Sequence, residues 1–274
     1  MPMPAELRPN LAAFKAFLFD LDGTLTYPSG PVPGAAEVIG ALKNLGKAVA
    51  VVTNNSRLSR SELAATLRHY GMPLAEKQVV TAVTATARFI ADRRPGARVL
   101  VVGSPGLRAE LAAHGLALVD APPADYVVTG VDRQLSYEKL ARAAEAILGG
   151  AAFVAVNVDR FIPTETGRLP GAALVVGALQ AVVGRPPDAV IGKPGPGLIL
   201  EACRTLEVAP EETILVGDSL VTDLPAARAA GTAFGLVLSG LSSRRDLAAA
   251  DRPDYVFENL NELLWALGTS VAPG

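Results

Sequence analysis

Cysteine is nearly absent: Cys203 stands alone in 274 residues. No intramolecular disulfide can form, which excludes a disulfide-stapled secreted scaffold. The apolar setting of that residue, LILEACRTL, reads as an inert helix position rather than a nucleophile. Histidine is almost as scarce, and both His69 and His114 fall at helix ends outside every chemical motif, so neither is assigned a function. No apolar run approaches the roughly 18 residues that a membrane span needs. The first ten residues, MPMPAELRPN, lack the charged-then-apolar order of a signal peptide. The expectation is a soluble, cytoplasmic protein with no membrane partner. An excess of one charge is missing as well. The 25 Lys and Arg nearly balance 27 Asp and Glu, for a net −2, and no clustered basic face offers itself to a nucleic-acid polymer.

What is present is apolar. Half the residues are hydrophobic, enough for a sizeable core in one large or two modest domains. Short runs rich in Val, Ile and Leu recur at 16–20, 48–52, 98–102, 125–128, 153–157, 213–217, 233–238 and 254–257, separated by helical patterns. That alternation predicts parallel βαβ units and an α/β fold. Ser59 and Glu62 form a capping box ahead of Leu63, Leu67 and Tyr70, and Gly71 closes the segment. A second helix opens after Ser136 and sets Tyr137, Leu140, Ala141, Ala144, Ile147 and Leu148 on a stripe read as core. The chemically loaded segments lie at 16–57 and 191–223, with nothing so dense between them. A domain inserted between two halves of one sheet accounts for the gap. The expected division is a discontinuous catalytic core at 1–83 and 185–274 and an inserted α/β domain at 84–184, with GRPPDAVIGKPGPG carrying the chain back.

Four clusters carry the chemistry: DLDGT (20–24), VTNNS (52–56), GKP (192–194) and GDSLVTD (217–223). Each follows a predicted strand or sits at a turn, where open α/β sheets put their ligand crevice. Carboxylates converging at strand tips repel one another unless a cation sits among them. With oxygen donors only, and neither histidine nor cysteine in any cluster, Mg²⁺ is expected rather than Zn²⁺. Magnesium commonly joins a few carboxylates to a substrate phosphate, so the expected partner is a small-molecule phosphate ester. Asp20 is then the nucleophile, one oxygen on the metal and the other aimed at phosphorus, forming an aspartyl phosphate. Asp22 serves as general acid towards the leaving alcohol and afterwards as base towards water. Thr53, the amides of the following turn and Lys193 hold the phosphoryl oxygens, and Lys193 also offsets the charge of Asp20. Asp20, Asp22 and Asp218 make up the expected metal set. Asp223 fixes Lys193 or a metal-bound water, or else simply caps the helix LPAARAAG. Plainer readings stand beside these: Asp22 as a turn-forming Asp before Gly, TNNS as a polar loop, and Lys193 as an exposed lysine.

In their order, the four clusters resemble the motifs of the haloacid dehalogenase superfamily of phosphotransferases. The likeness runs from about residue 14 to 265. It extends through VVTGVDRQLSYEKL, GAAFVAVNVDRFIPTETGRLPGAA and the GRPPDAVIGKP return, which are similar to the capped subfamily of NagD and the 4-nitrophenyl phosphatases. That resemblance implies a Rossmann-like doubly wound parallel sheet core with an α/β cap domain inserted after the second motif. It also implies Mg²⁺-dependent phosphatase activity and a homodimer through the caps. By the family pattern Asp20 is the nucleophile, Asp22 the acid/base, Thr53 and Lys193 the phosphate contacts and Asp218 a metal ligand. The carbonyl of Asp22, rather than its side chain, is the implied metal contact, and Asn54 and Asn55 lie in the turn that binds substrate. In relatives the cap loop around 157–171 faces the core, which makes Asp159 and Arg160 the candidates for contacting the rest of the substrate. Two positions depart from the pattern: Val156 and Val158 flank Asn157 where threonine and often proline are usual, and Pro225 stands where glycine is frequent.

Hydrolysis of a phosphomonoester is the reading these residues favour. A phosphotransferase or phosphomutase would use the same nucleophile with another acceptor. A phospho-acceptor signalling module also uses Asp, Thr and Lys on such a sheet, but is about half this length and lacks the partner acid two residues on. Dehalogenation is disfavoured by Asp22, since a halide leaves without a proton.

Overall fold

The computed structural model describes residues 11–55, 58–164, 167–248 and 252–268. The N-terminal decapeptide, Ser56 of the second cluster, and Glu165 and Thr166 of the cap loop therefore lie outside the described residues. In chain order the strands are β1 (Ala16–Asp20), β2 (Thr26–Tyr27), β3 (Gly30–Pro31), β4 (Ala48–Thr53), β5 (Val79–Thr81), β6 (Arg98–Val102), β7 (Ala117–Val119) and β8 (Tyr126–Thr129). They continue as β9 (Ala152–Ala155), β10 (Phe161–Thr164), β11 (Gly167–Pro170), β12 (Ala189–Val190), β13 (Thr213–Gly217), β14 (Ala233–Val237) and β15 (Tyr255–Phe257). The helices are α1 (Ala35–Asn44), α2 (Arg60–His69), α3 (Ala82–Arg93), α4 (Pro105–Ala113), α5 (Tyr137–Leu148), α6 (Ala173–Val183), α7 (Gly197–Leu206), α8 (Asp223–Ala230) and α9 (Leu260–Ala266). Among the described residues no helix is long and apolar enough to cross a membrane.

The chain divides into two compact units. One takes the described residues up to Thr53, Arg60–Val80 and those from Ile199 onward. The other takes Thr81–Leu198 with the described part of Asn54–Ser59. The second unit thus reaches beyond the expected 84–184 on both sides, and it claims the turn that follows β4.

In the first unit six strands pair in the order β15-β14-β13-β1-β4-β5, and the pairs flanking β1, β13 and β14 are parallel. Why β1 sits inside this sheet follows from its composition. All five residues of AFLFD are buried, a continuous apolar run that needs cover on both faces. Phe17 and Phe19 share one face with Val49, Val51, Ile214 and Val216, their partners in the parallel register. There they meet Val38, Ile39 and Leu42 of α1, Leu63 and Leu67 of α2, and Leu260, Leu263 and Leu264 of α9. Leu18, with partners Ala50 and Leu215, is fully buried on the other face. Helix α8 packs on β13 and β14.

The second unit has its own parallel sheet, ordered β12-β9-β8-β6-β7. Leu100, Val102, Val127, Phe153 and Ala155 pack against Ala143, Ala144 and Ile147 of α5 and Val175, Val176 and Leu179 of α6. A separate antiparallel hairpin joins β10 to β11. The fold is α/β, with parallel sheets in both units. One part of the helical reading is corrected. The helix opens after Ser136 as expected, with the Ser136 side chain capping it, and Ala144 and Ile147 are buried, but Tyr137 is 83% and Leu148 68% exposed. These are the first and last residues of the helix, where a side chain has no neighbouring turn on one side to share cover with. The buried stripe is narrower and centred on Ala143, Ala144 and Ile147.

Acids at strand starts hold this architecture in register. Asp125 accepts the main-chain N–H of Arg98 at 2.8 Å and its guanidinium at 2.9 Å, with Arg94 at 3.1 Å. Asp188 accepts the N–H of Phe153 and pairs with Arg185. Asp254 accepts the N–H of Phe234 and pairs with Arg228. The Arg98 side chain, then its main-chain N–H, hold the Asp125 carboxyl down to about 2, against an ordinary 3.8. Because the folded value lies below the unfolded one, the stabilisation from Asp125 is complete above about pH 4 and vanishes as pH falls towards 2. Asp125→Asn is therefore expected to lower the melting temperature at pH 7. In thermal melts run from pH 7 down to pH 2, its difference from the wild type should close below about pH 4.

Candidate active site

Three adjacent parallel strands deliver the acidic clusters to one end of the first sheet. β1 ends on Asp20, β4 on Thr53, and β13 on Gly217 immediately before Asp218. Chain connections leave β1 towards β4 on one side and come back to β13 on the other, so β1 lies at the switch point where an open α/β sheet forms its crevice. Asp20, Asp218 and Asp223 each bring a carboxylate oxygen within 4.8 Å of the other two, and all three residues are buried. Thr53 is buried beside Asp20, one residue beyond its register partner Val52.

Asp22 is exposed and contributes no carboxylate oxygen to this group. Asp223 joins the group as a member that the expected metal set did not contain, while the contact implied for Asp22 is its main-chain carbonyl, not a carboxylate oxygen. The helix-cap reading of Asp223 is corrected as well. Thr222 is the N-cap of α8, and Asp223 is the first helical residue. Its Oδ2 instead accepts the N–H of Ser219 at 3.0 Å, which turns the carboxylate back over the loop.

The turn after β1 is built to let these acids approach. Leu25 and Thr26 donate their N–H groups to the carbonyl of Leu21, and Gly23 N–H bonds to Thr26 O, which closes DLDGT into a tight loop. Gly23 has φ +92°, and a Cβ there would lie 2.4 Å from Asp218 Oδ2. Only glycine meets both conditions. Gly217 serves Asp223 similarly, since a Cβ there would meet its Oδ2 at 2.4 Å. Three buried carboxylates offering oxygen alone form a donor set suited to a hard divalent cation. Asp20, Asp218 and Asp223 would hold it.

The remaining candidates belong to the second unit, where they form a network of their own. Asn54 pairs with Lys193 as one peptide group pairs with another: Oδ1 accepts the Lys193 N–H at 2.9 Å and Nδ2 donates to the Lys193 carbonyl at 2.9 Å. Nδ2 also donates to the Asp159 carboxylate, at 3.1 and 3.3 Å. Asn157 completes the ring, donating to the carbonyl of Asn54 and accepting the N–H of Asp159. Both polar ends of the Asn54 amide are thus spent on the chain around Lys193, which is itself buried. The plain reading of Lys193 as an exposed lysine does not hold. Asn55 is half-buried and Arg160 exposed, the latter with its guanidinium 5.6 Å from the ring of Phe161. Cys203 is buried, and burial pushes its thiol above its ordinary range, as an inert residue requires.

Sequence reasoning passed over Ser239, Gly240, Leu241 and Ser242, which follow β14 and contact the acidic loops. Leu241 N–H donates to Asp218 Oδ2 at 2.7 Å. A Ser-Gly step just past a buried strand was the available signal, but it names no partner.

Residues 17–117 match the family model described as haloacid dehalogenase-like hydrolase, and residues 190–263 a second, HAD-hydrolase-like model. The chain is 36% identical over 252 residues to the acid sugar phosphatase of Staphylococcus saprophyticus, spanning 92% of this chain and 97% of that protein. The p-nitrophenyl phosphatase of Archaeoglobus fulgidus superposes with a TM-score of 0.87 at 37% identity, covering 93% of this chain and 99% of that one. Glycerol phosphate phosphatase Rv1692 of Mycobacterium tuberculosis, solved in complex with magnesium, does so with a TM-score of 0.83 at 38% identity, covering 93% and 78%. The motif order, the parallel sheet with acids at its strand tips and these similarities over nearly the whole length agree: the chain belongs to the haloacid dehalogenase-like hydrolases, in the group similar to the 4-nitrophenyl phosphatases.

Proposed function

We propose that the protein is a Mg²⁺-dependent phosphatase that hydrolyses small phosphomonoesters through an aspartyl phosphate on Asp20. The observation that carries this reading is the convergence of Asp20, Asp218 and Asp223 at the switch point of the first sheet. Relatives named as phosphatases, one of them solved with magnesium, support it. When bound, Mg²⁺ offsets the charge of the three acids and of the phosphoryl oxygens.

In the first step a carboxylate oxygen of Asp20 bonds to phosphorus while the bond from phosphorus to the ester oxygen breaks, and Asp22 gives its proton to that oxygen so that a neutral alcohol leaves. In the second, Asp22, now a carboxylate, takes a proton from water as the water oxygen attacks phosphorus. The bond to Asp20 breaks, inorganic phosphate departs and both acids return to their starting states. The exposed position of Asp22 suits a group that must meet both a leaving alcohol and a water. Thr53 and Lys193 are the proposed partners of the phosphoryl oxygens, and Asn54, itself held by the Asp159 carboxylate, fastens the main chain that carries Lys193. Asn55 and Arg160 remain the proposed contacts to the rest of the substrate. The second unit is the proposed cap that selects among esters such as glycerol phosphate, phosphoglycolate, pyridoxal phosphate, sugar phosphates and nucleoside monophosphates.

A homodimer through the second unit is part of the same proposal. Helix α6, ALVVGALQAVV, is apolar nearly all round, yet Leu174 and Val182 are 53% and 67% exposed. Gly177 and Ala181 lie between them and line a shallow depression with Gln180 and Pro186. A second copy would cover that stripe.

With 4-nitrophenyl phosphate, Asp20→Asn is expected to lower steady-state turnover at least about a thousandfold with an unchanged circular dichroism spectrum. Asp22→Asn should slow both steps about a hundredfold or more. EDTA should silence the wild type and Mg²⁺ restore it; turnover surviving in Asp20→Asn would remove the nucleophile assignment. Light scattering on the eluting protein should give twice the chain mass for the wild type and the chain mass for the pair Leu174→Glu and Val182→Glu. A monomeric wild type at tens of micromolar would end the dimer proposal.

A further inference from the structure

Asp218 is gripped by a segment from another strand. Its Oδ2 accepts the N–H of Leu241 at 2.7 Å, and its carbonyl accepts the N–H of Ser242 at 3.0 Å. Ser242 Oγ in turn accepts the N–H of Leu220 at 2.9 Å, so the acid and the residue two beyond it are tied to one short stretch. Gly240 makes the approach possible. A Cβ there would lie 1.8 Å from Asp218 Oδ2, 2.5 Å from its Cγ and 2.6 Å from its Cβ, distances that no side chain could accommodate without moving the acid. On the other flank a Cβ at Gly23 would meet the same Oδ2 at 2.4 Å and Gly240 Cα at 3.5 Å. The carboxylate is therefore pressed between two bare backbones and held at one oxygen by a charge-assisted hydrogen bond. The stretch is anchored at its near end too. Ser239 Oγ donates to Gly23 O at 2.9 Å, and Tyr27 OH donates to Ser239 O at 2.7 Å.

From this geometry we infer that residues 239–242 form a positioning clasp that sets the affinity of the acidic site for its divalent cation, with Gly240 and the Leu241 N–H fixing the Asp218 carboxylate in its binding orientation. The inference rests on the reading of Asp20, Asp218 and Asp223 as the cation site. Mg²⁺ tolerates little departure from octahedral geometry and binds through few protein carboxylates, so a carboxylate free to swing forfeits affinity even when the fold is intact. The clasp's described hydrogen bonds run to Asp218, Leu220, Gly23 and Tyr27. Its signature is a change in cation binding rather than in the chemical step. The side chain of Leu241 has no part in this, being 82% exposed, so donor and side chain can be removed separately.

The test is calorimetric titration of Mg²⁺ into the full-length protein, with melting temperatures taken in EDTA and in saturating Mg²⁺. Leu241→Ala keeps the N–H and should bind within twofold of the wild type. Leu241→Pro deletes the N–H and Gly240→Ala fills the gap; each should raise the Mg²⁺ dissociation constant at least about tenfold, the usual effect of losing an outer support of a metal ligand. Their melting temperatures in EDTA should stay close to that of the wild type, while the gain on adding Mg²⁺ shrinks. Ser242→Ala, the mildest change, should weaken binding by a smaller factor, and it decides the matter should the other two fail to fold. Wild-type affinity in folded Leu241→Pro and Gly240→Ala, or in Ser242→Ala if it alone folds, overturns the clasp. A wild type that titrates no Mg²⁺ overturns the underlying site reading instead.

Discussion

Mutual repulsion among Asp20, Asp218 and Asp223 is the constraint around which the first unit is organised. Their oxygens lie within 4.8 Å of one another in a buried corner, an arrangement that opposes folding unless something offsets the charge. Everything nearby holds the acids in place despite that repulsion. Continuous apolar strands fix where each acid emerges, glycines at 23 and 217 let the backbones close on the carboxylates, and main-chain N–H groups of Ser219 and Leu241 each take one oxygen. Stability given up at such a corner is in keeping with the proposed site for a cation and a phosphoryl group.

The opposite ends of the strands show how the same chain treats acids that carry structure only. Asp125, Asp188 and Asp254 each cap a main-chain N–H at or next to a strand's first residue and each has an arginine partner. Charge is matched where it is formed. Nothing about these acids as sequence letters separates them from Asp20 or Asp218; the difference is which end of the strand they occupy. In a parallel sheet that distinction follows from chain direction, because side chains after a strand's last residue enter the crevice.

This explains how much was legible beforehand. The strands at 16–20, 98–102 and 213–217 were read to the residue, since a buried parallel strand needs an unbroken apolar run and such runs have sharp ends. Asp20 at the end of the first and Asp218 just past the last are as easily read. Three of the four edge strands of the two large sheets are not legible: β5, β7 and β12, three, three and two residues long, have too few residues to show any period. The α5 stripe was over-read for a related reason, because periodicity locates a face but not how far the neighbouring sheet extends beneath it, and Tyr137 and Leu148 overhang. Asp223 reads as chemically loaded, yet its place in the buried acid trio goes with its Oδ2 accepting the N–H of Ser219, which spacing alone does not settle.

The least legible features are those in which the backbone is the ligand. Asn54 reads as one polar residue in a polar turn. Its function in the fold comes from two main-chain groups of Lys193, 139 residues away, and a carboxylate 105 residues away. An amide that satisfies a peptide N–H and a peptide C=O at once leaves no compositional trace, because every residue but proline offers that pair. Gly240 is silent in the same way, since a glycine records that a side chain is excluded but not what excludes it. Polar side chains and glycines just past buried strands therefore convey function through whatever main chain the topology brings against them. In this protein, that main chain belongs to the segments bearing Lys193 and Asp218, two residues whose placement the proposed chemistry cannot do without.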